Sequence, residues 1–396
     1  MLTRRNLLKR SSLLALSPSV PGFLTRLARA SEPQKNGRVL VVIQLGGGND
    51  GINTVVPYRD EGYARHRNQL RLPVDQLHKL NDQVALHPQM KAMAELFESQ
   101  RLAVVQGVGY PNPNRSHDVS MAIWQTARFD PTEHDSYGWL GRALDQSPQR
   151  QAGPASLLVG DGALPTALVG RRSVAGSFSR LDELSVQNEA ARATVAGAPA
   201  ADDLEGFIRR STLDAYATAD AVNAAVARRQ AKSSYPSNPL GEHLSIIARL
   251  IEADLPTRVY YAVQSGYDTH SVQLPAHGRL LRELSLALKA FLDDLAESKL
   301  AERVTVMTFS EFGRRVAENA SAGTDHGTAA PLFLAGGGVQ AGLIGATPSL
   351  TDLEQGDLKM AIDFRRVYAG VLRDWLAIDP DEVLGASFEP LPLFAG

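Results

Sequence analysis

Acidic and histidine residues recur just beyond runs of buried-type residues. Asn49-Asp50 follows the apolar run 38–45, Asp268-Thr269-His270 follows 258–263, Ser310-Glu311 follows 303–309, and Asp325-His326 precedes 331–335. Carboxylates and imidazoles are the oxygen and nitrogen ligands of divalent metals. Asp268 and His270 stand two apart on a loop, where both can face one ion. Any one of these residues alone is more often a cap or turn residue. Four of them at like positions point to one centre. Alternatives stay open for three: Asp50 as a turn residue, Glu311 as a partner of Arg314 or Arg315, and His277 as a capping imidazole or reserve ligand.

Two further motifs bear on chemistry. Gly46-Gly47-Gly48-Asn49-Asp50-Gly51 has the spacing of a dinucleotide fingerprint, but Asn53-Thr54-Val55-Val56-Pro57 does not open a helix and no acidic strand end follows. The glycines are read instead as a sharp turn that brings Asp50 close to an ion. Ser116 precedes the apolar spacing Val119, Ile123, Trp124 and stands at a helix N-terminus. There it is either a cap or, beside a metal, an activated nucleophile. No Gly-x-Ser-x-Gly elbow occurs, which argues against an α/β-hydrolase triad.

The elements that must position these residues are legible as periods. Six β-branched or leucine-rich runs (38–45, 102–106, 155–159, 258–263, 303–309 and 331–335) read as buried strands. Leu280, Leu284, Leu288, Phe291 and Leu295 form a helical stripe, and a second helix spans Asp363 to Ala377. Strands alternating with helices predict an α/β fold with a doubly wound, mainly parallel sheet. In such a sheet the ligand crevice lies beyond the carboxyl ends of the strands. The Ala-rich stretch within 189–254 reads as a helical cap or insertion, and Asn238 as the cap of the helix after it.

With 44% hydrophobic and 21% charged residues, the chain is neither disordered nor fibrous. No run reaches the roughly 18 apolar residues of a membrane span. Cysteine is absent, which excludes disulfides, thiolate metal sites and a Cys nucleophile. Residues 1–30 hold six basic residues and no acidic one: Thr3-Arg4-Arg5-Asn6-Leu7-Leu8-Lys9, a short apolar stretch, then Ala28-Arg29-Ala30. This reads as a twin-arginine export signal with a cleavage site, and 31–396 as one mature domain. Without the signal the balance is 35 basic to 43 acidic residues, a net of −8, which argues against a nucleic-acid partner.

Six motifs in order resemble those of the exported bacterial proteins of domain of unknown function 1501. They are Gln44 to Gly51, Arg115-Ser116-His117, Gly138-Trp139-Leu140-Gly141-Arg142, Asp268-Thr269-His270, Ser310-Glu311-Phe312-Gly313-Arg314 and Gly323-Thr324-Asp325-His326-Gly327. That family looks like a branch of the alkaline phosphatase and sulfatase superfamily. The resemblance implies an alkaline-phosphatase-like fold, one or two divalent ions (zinc, with calcium or magnesium open) and a Ser nucleophile.

By that resemblance Asp50 and Glu311 hold one ion, and Asp268, His270 and His326 the other. Ser116 attacks an anionic phosphate or sulfate ester, and Arg115 or Arg314 binds its oxygens. Phe312 stands where the superfamily has a histidine, and Asp-x-His replaces a wider spacing. The alternative is a non-catalytic envelope protein that binds another exported protein, since family members are often encoded beside a second exported family.

Overall fold

The computed structural model describes residues 37–129, 137–146, 154–179, 219–220, 222–223 and 231–395. All six apolar runs become strands: β1 (Val39–Gly46), β2 (Leu102–Gly109), β3 (Ser156–Val159), β5 (Val259–Ser265), β6 (Val304–Phe309) and β7 (Ala330–Gly336). Three short strands, β4 (Ala175–Phe178), β8 (Gly342–Ile344) and β9 (Ile362–Asp363), complete a nine-stranded sheet. Its order is β8-β2-β7-β6-β1-β5-β3-β4, with β9 beside β2. Every pairing is parallel except the two that β7 makes, with β2 and with β6.

Side chains of β1 alternate between two cores, which is why the run is apolar throughout. Val39, Val41, Ile43 and Leu45 face the first, against Leu96 of α1 (Lys91–Glu98), Leu244 of α4 (Pro239–Glu252) and Leu284 of α5 (Gln273–Glu297). Leu40 and Val42 face the second. Packed there are Trp124 of α2 (His117–Thr126), Leu140 of α3 (Trp139–Asp145) and Val367 of α6 (Phe364–Gly370). Each such side chain contributes about 1.5–3 kcal/mol by leaving water. The result is a sheet between two helical layers, and the stripe from Leu280 to Leu295 on α5 is buried as its period requires.

The helix expected over 363–377 starts at its cap, Asp363, and changes to a π-helical segment at Val371–Leu376. Asn238 caps α4, its Oδ1 accepting the Gly241 N–H at 2.9 Å. That helix packs on β5 and α5. Most of the expected insertion before it, and all of the signal at 1–30, lie outside the described residues.

Strand direction sets the site. β1, β2, β5 and β6 run one way, so their carboxyl ends share an edge, and the reversed β7 brings its amino end to that edge. The register shows it: Gly46 pairs with Ser265, Gln44 with Phe309, and Ala330 with Val108. The loops that carry Asp50, Ser116, Asp268, Glu311 and His326 therefore all leave the sheet from one edge.

Candidate metal centre

The loop after β1 passes beneath its neighbours. Gly47 and Gly48 have φ of +116° and +76°, and a Cβ would lie 2.5 Å from the Asp268 amide nitrogen at Gly47 and 2.3 Å from the Phe312 ring at Gly48. Only glycine meets both demands. One helical turn, Gly51–Thr54, follows and gives way to a short strand, so no phosphate-cradling helix forms.

Arg314 fastens these loops together. Its Nε donates to Gly48 O at 2.7 Å, Nη1 to Thr324 O at 2.9 Å, and Nη2 to Asp268 Oδ1 at 2.6 Å and to Tyr267 O at 3.1 Å. A further contact joins Nη2 to Gly47 O. The side chain is fully buried and its donors are committed, so the expected role of Arg314 in binding ester oxygens does not hold. Arg315 and Arg115 share the buried Asp357 carboxylate instead.

Three imidazoles and one carboxylate converge in front of this hub. His117 Nδ1 lies 2.8 Å from Glu311 Oε1, His270 Nδ1 3.2 Å from Asp325 Oδ1, and His326 Nδ1 2.7 Å from Arg115 O. Carboxylates and carbonyls only accept, so an Nδ1 proton suits each of these contacts; each Nε2 in turn faces Asp268 Oδ1, to which it donates when protonated and beside which it keeps a lone pair for a cation when not. Those Nε2 atoms lie 3.5, 3.0 and 3.1 Å from Asp268 Oδ1, for His117, His270 and His326. The Nε2 atoms of His270 and His326 are only 2.9 Å apart. Asp268 Oδ1 thus faces three imidazole nitrogens, with the Arg314 guanidinium on its other side and Arg314 Nη1 3.5 Å from His270 Nε2. The ligand atoms of His117, Asp268 and His326 all lie within 4.8 Å of one another.

Electrostatics keep the carboxylate charged. Partial burial raises the Asp268 pKa, but hydrogen bonds, first that from Arg314, outweigh it and bring the group down to about 2. Behind His117, the buried Glu311 accepts the Gly47 N–H at 2.9 Å. A carboxylate behind a ligating histidine fixes its tautomer and raises its basicity. Glu311 thus faces the centre through His117 and pairs with neither Arg314 nor Arg315. Phe312 packs on the rings of His117 and His326, with centroids 4.9 and 4.7 Å away, and walls the site.

The structure brings Asp268, His270 and His326 together, while Asp50 stands apart. Its buried carboxylate meets Arg67 at 2.5 and 3.0 Å and Gln273 Nε2 at 2.5 Å, and it caps the Gly51–Thr54 turn. With its lone pairs so occupied, Asp50 is a structural anion and not a ligand. His277 also turns away. It is buried at the start of α5, 2.9 Å from Asn49 Oδ1, and burial lowers its pKa to about 4. Ser116 is the N-cap residue of α2, yet its exposed side chain makes no capping hydrogen bond.

His117 is the member that the sequence reading did not single out, and Asp325 was noted beside His326 without a role of its own. Their signal was adjacency: His117 follows Ser116, and Asp325 precedes His326.

The family profile described as a protein of unknown function, DUF1501, matches residues 37–386. The chain belongs to the DUF1501 family. No curated protein matches it. Among solved structures, the DUF1501 chain is similar to the PsFucS1 sulfatase from Pseudoalteromonas sp., at 12% identity over 83% of this chain and 68% of that one, TM-score 0.38. It is similar to the lipoteichoic acid synthase LtaP from Listeria monocytogenes, at 11% identity over 83% and 75%, TM-score 0.38. A protein in the alkaline phosphatase superfamily from Vibrio parahaemolyticus matches at 10% identity over 82% and 68%, TM-score 0.37.

Proposed function

We propose that this chain is an exported, metal-dependent hydrolase of phosphate or sulfate esters with Ser116 as its nucleophile. The observation that carries the reading is the convergence of three imidazole Nε2 atoms on Asp268 Oδ1. His117, Asp268 and His326 would hold the ion, with His270 as a fourth ligand. A donor set rich in nitrogen suits zinc, whereas calcium and magnesium favour oxygen ligands. A divalent ion bound there supplies Lewis acidity, which draws charge from an ester oxygen and lowers the pKa of a hydroxyl.

The chain's own residues do the rest. Both neighbours of Ser116 are bonded into the centre, Arg115 through its carbonyl to His326 and His117 through its own ring. Without a capping bond, the Ser116 hydroxyl would attack phosphorus or sulfur, its proton passing to the alcohol oxygen that leaves opposite, and water would then hydrolyse the Ser116 ester to release phosphate or sulfate. The N–H groups of the first turn of α2 favour the anionic ester. Arg115, partly exposed beside Asp357, supplies the cationic rim. Glu311 and Arg115 O would favour the Nδ1–H tautomer of His117 and His326, which leaves each Nε2 for the ion.

The test is a panel of aryl phosphate and sulfate esters offered to zinc-loaded protein, with wild type beside Ser116→Ala. Turnover is lost in the variant, while zinc content and melting temperature stay within error. A variant that keeps turnover contradicts the nucleophile. One that instead loses about 0.5–2 kcal/mol of stability marks Ser116 as a helix cap.

A further inference from the structure

The two loops that carry Asp268, His270 and His326 are joined behind the centre by one buried side chain. Gln273, at the start of α5, is fully buried. Its Oε1 accepts the hydroxyl of Thr269, between Asp268 and His270, at 3.0 Å. The same oxygen accepts the hydroxyl of Thr324, just before Asp325 and His326, at 2.6 Å. Its Nε2 donates to Asp50 Oδ2 at 2.5 Å. The amide has one consistent orientation, because a carboxylate cannot donate and must face the NH₂ group. Both lone pairs of Oε1 are thereby used, one for each loop. A backbone bond, Thr324 N–H to Thr269 O at 3.2 Å, closes the link.

The chain accepts strain to place this amide. Val272 adopts the left-handed conformation, φ +43° and ψ +47°, which a β-branched residue rarely does, and its side chain is exposed. Burial of the Val272 side chain therefore does not hold that geometry. What the turn achieves is to carry the chain from exposed Val272 to buried Gln273. Strain of this kind persists where the surroundings over-determine it. The surroundings here are the two threonine hydroxyls and the Asp50–Arg67 pair.

We propose that Gln273 is a positioning residue for the metal centre: it clamps the Asp268–His270 loop to the Thr324–His326 loop and so sets the separation of their ligand atoms. The proposal rests on the metal reading above for its purpose. It also has a consequence independent of any metal, namely the ordering of the two rings. Asp50, which the chemistry of its side chain suggested as a ligand, acts here as the anchor of the clamp.

The experiment uses the mature chain as purified, with Gln273→Met, which keeps length and burial but loses acceptor and donor. Two readouts are taken: zinc affinity by competition with a chromophoric chelator, and the imidazole Nδ1–H signals of His270 and His326 by NMR. Gln273→Met is expected to weaken zinc binding about tenfold, the lower range for groups that orient ligands. It also broadens or loses both imidazole signals, while the Nε2–H signal of His78, distant in sequence and bonded to Pro88 O, persists. Zinc affinity within twofold of wild type together with both signals retained overturns the clamp, whatever the melting temperature.

If Gln273→Met does not fold, Thr324→Val, which deletes one hydroxyl at constant shape, is judged by the same two readouts. A wild type that binds no zinc, but whose imidazole signals vanish in the variant, overturns the metal reading and leaves the clamp standing. Zinc bound by wild type and by Gln273→Met alike, with both signals unmoved, overturns the clamp alone.

Discussion

His270 and His326 present their Nε2 atoms to each other at 2.9 Å, and each ring has its Nδ1 engaged elsewhere, with Asp325 and with Arg115 O. At that distance the two nitrogens either share one proton or, both unprotonated, face a common cation. The pairing distinguishes this cluster from an ordinary surface group of histidines, whose ring nitrogens are free to find water.

Glu311 is expected to act through His117. In Glu311→Gln the acceptor on His117 Nδ1 loses its charge, and zinc affinity falls about 10- to 100-fold with the ion count per chain unchanged at saturation. Loss of a whole ion at saturation would make Glu311 a ligand and refute this geometry. Chelator competition and elemental analysis on the same sample separate the two outcomes.

Asp50→Asn tests the opposite assignment. It leaves the buried Arg67 guanidinium without its anion, and breaking such a pair costs about 3–5 kcal/mol. Denaturant unfolding reads that loss. The folded variant still takes up the wild-type number of ions at saturating zinc. A variant of wild-type stability with one ion fewer would restore Asp50 to the ligand set.

How much of this was legible beforehand divides along a physical line. Burial on both faces writes itself into composition, so the six strands, the α5 stripe and the shared sheet edge could be read directly. Strand direction leaves no such mark. Nothing in Ala330–Gly336 tells that it runs against both neighbours, although the expected edge survived because its histidine precedes the strand. Partner choice is equally silent. Asp50 has a ligand's chemistry, and only the fold brings Arg67 and Gln273 to it. Arg314 looked free to bind an anion until its burial and five acceptors were seen. His117 stood beside the hydroxyl that drew attention and was not weighed on its own.

Two buried histidines tie stability to pH. Burial lowers the pKa of His277 to about 4 and that of His87 to about 3, and the rings meet edge to face at 5.9 Å. In the unfolded chain both titrate near 6.5. Between about pH 6.5 and these folded values the unfolded state therefore binds more protons, and stability falls as pH is lowered. Across its window His277 accounts for a loss of about 3 kcal/mol and His87 for about 5 kcal/mol. Unfolding free energies at pH 7.5, 6 and 5 should decline, and His277→Gln should flatten the slope. A variant with the full wild-type slope would contradict the assignment.

Export is tested at the amino terminus. Replacing Arg4 and Arg5 together by Lys keeps the charge and removes the paired guanidinium groups. The double variant should remain in the cytoplasm while wild type is exported and processed near Ala30. Normal export of the variant would refute the twin-arginine reading.

The central claim is that His117, Asp268 and His326 hold a divalent ion, and zinc content tests it most directly. Wild type, His117→Ala, His326→Ala and His277→Ala are each chelator-stripped, reloaded with zinc and counted by elemental analysis. Stoichiometric zinc is expected in wild type and His277→Ala, and loss of zinc in the His117 and His326 variants. Equal zinc in all four proteins, or none in wild type, would contradict it.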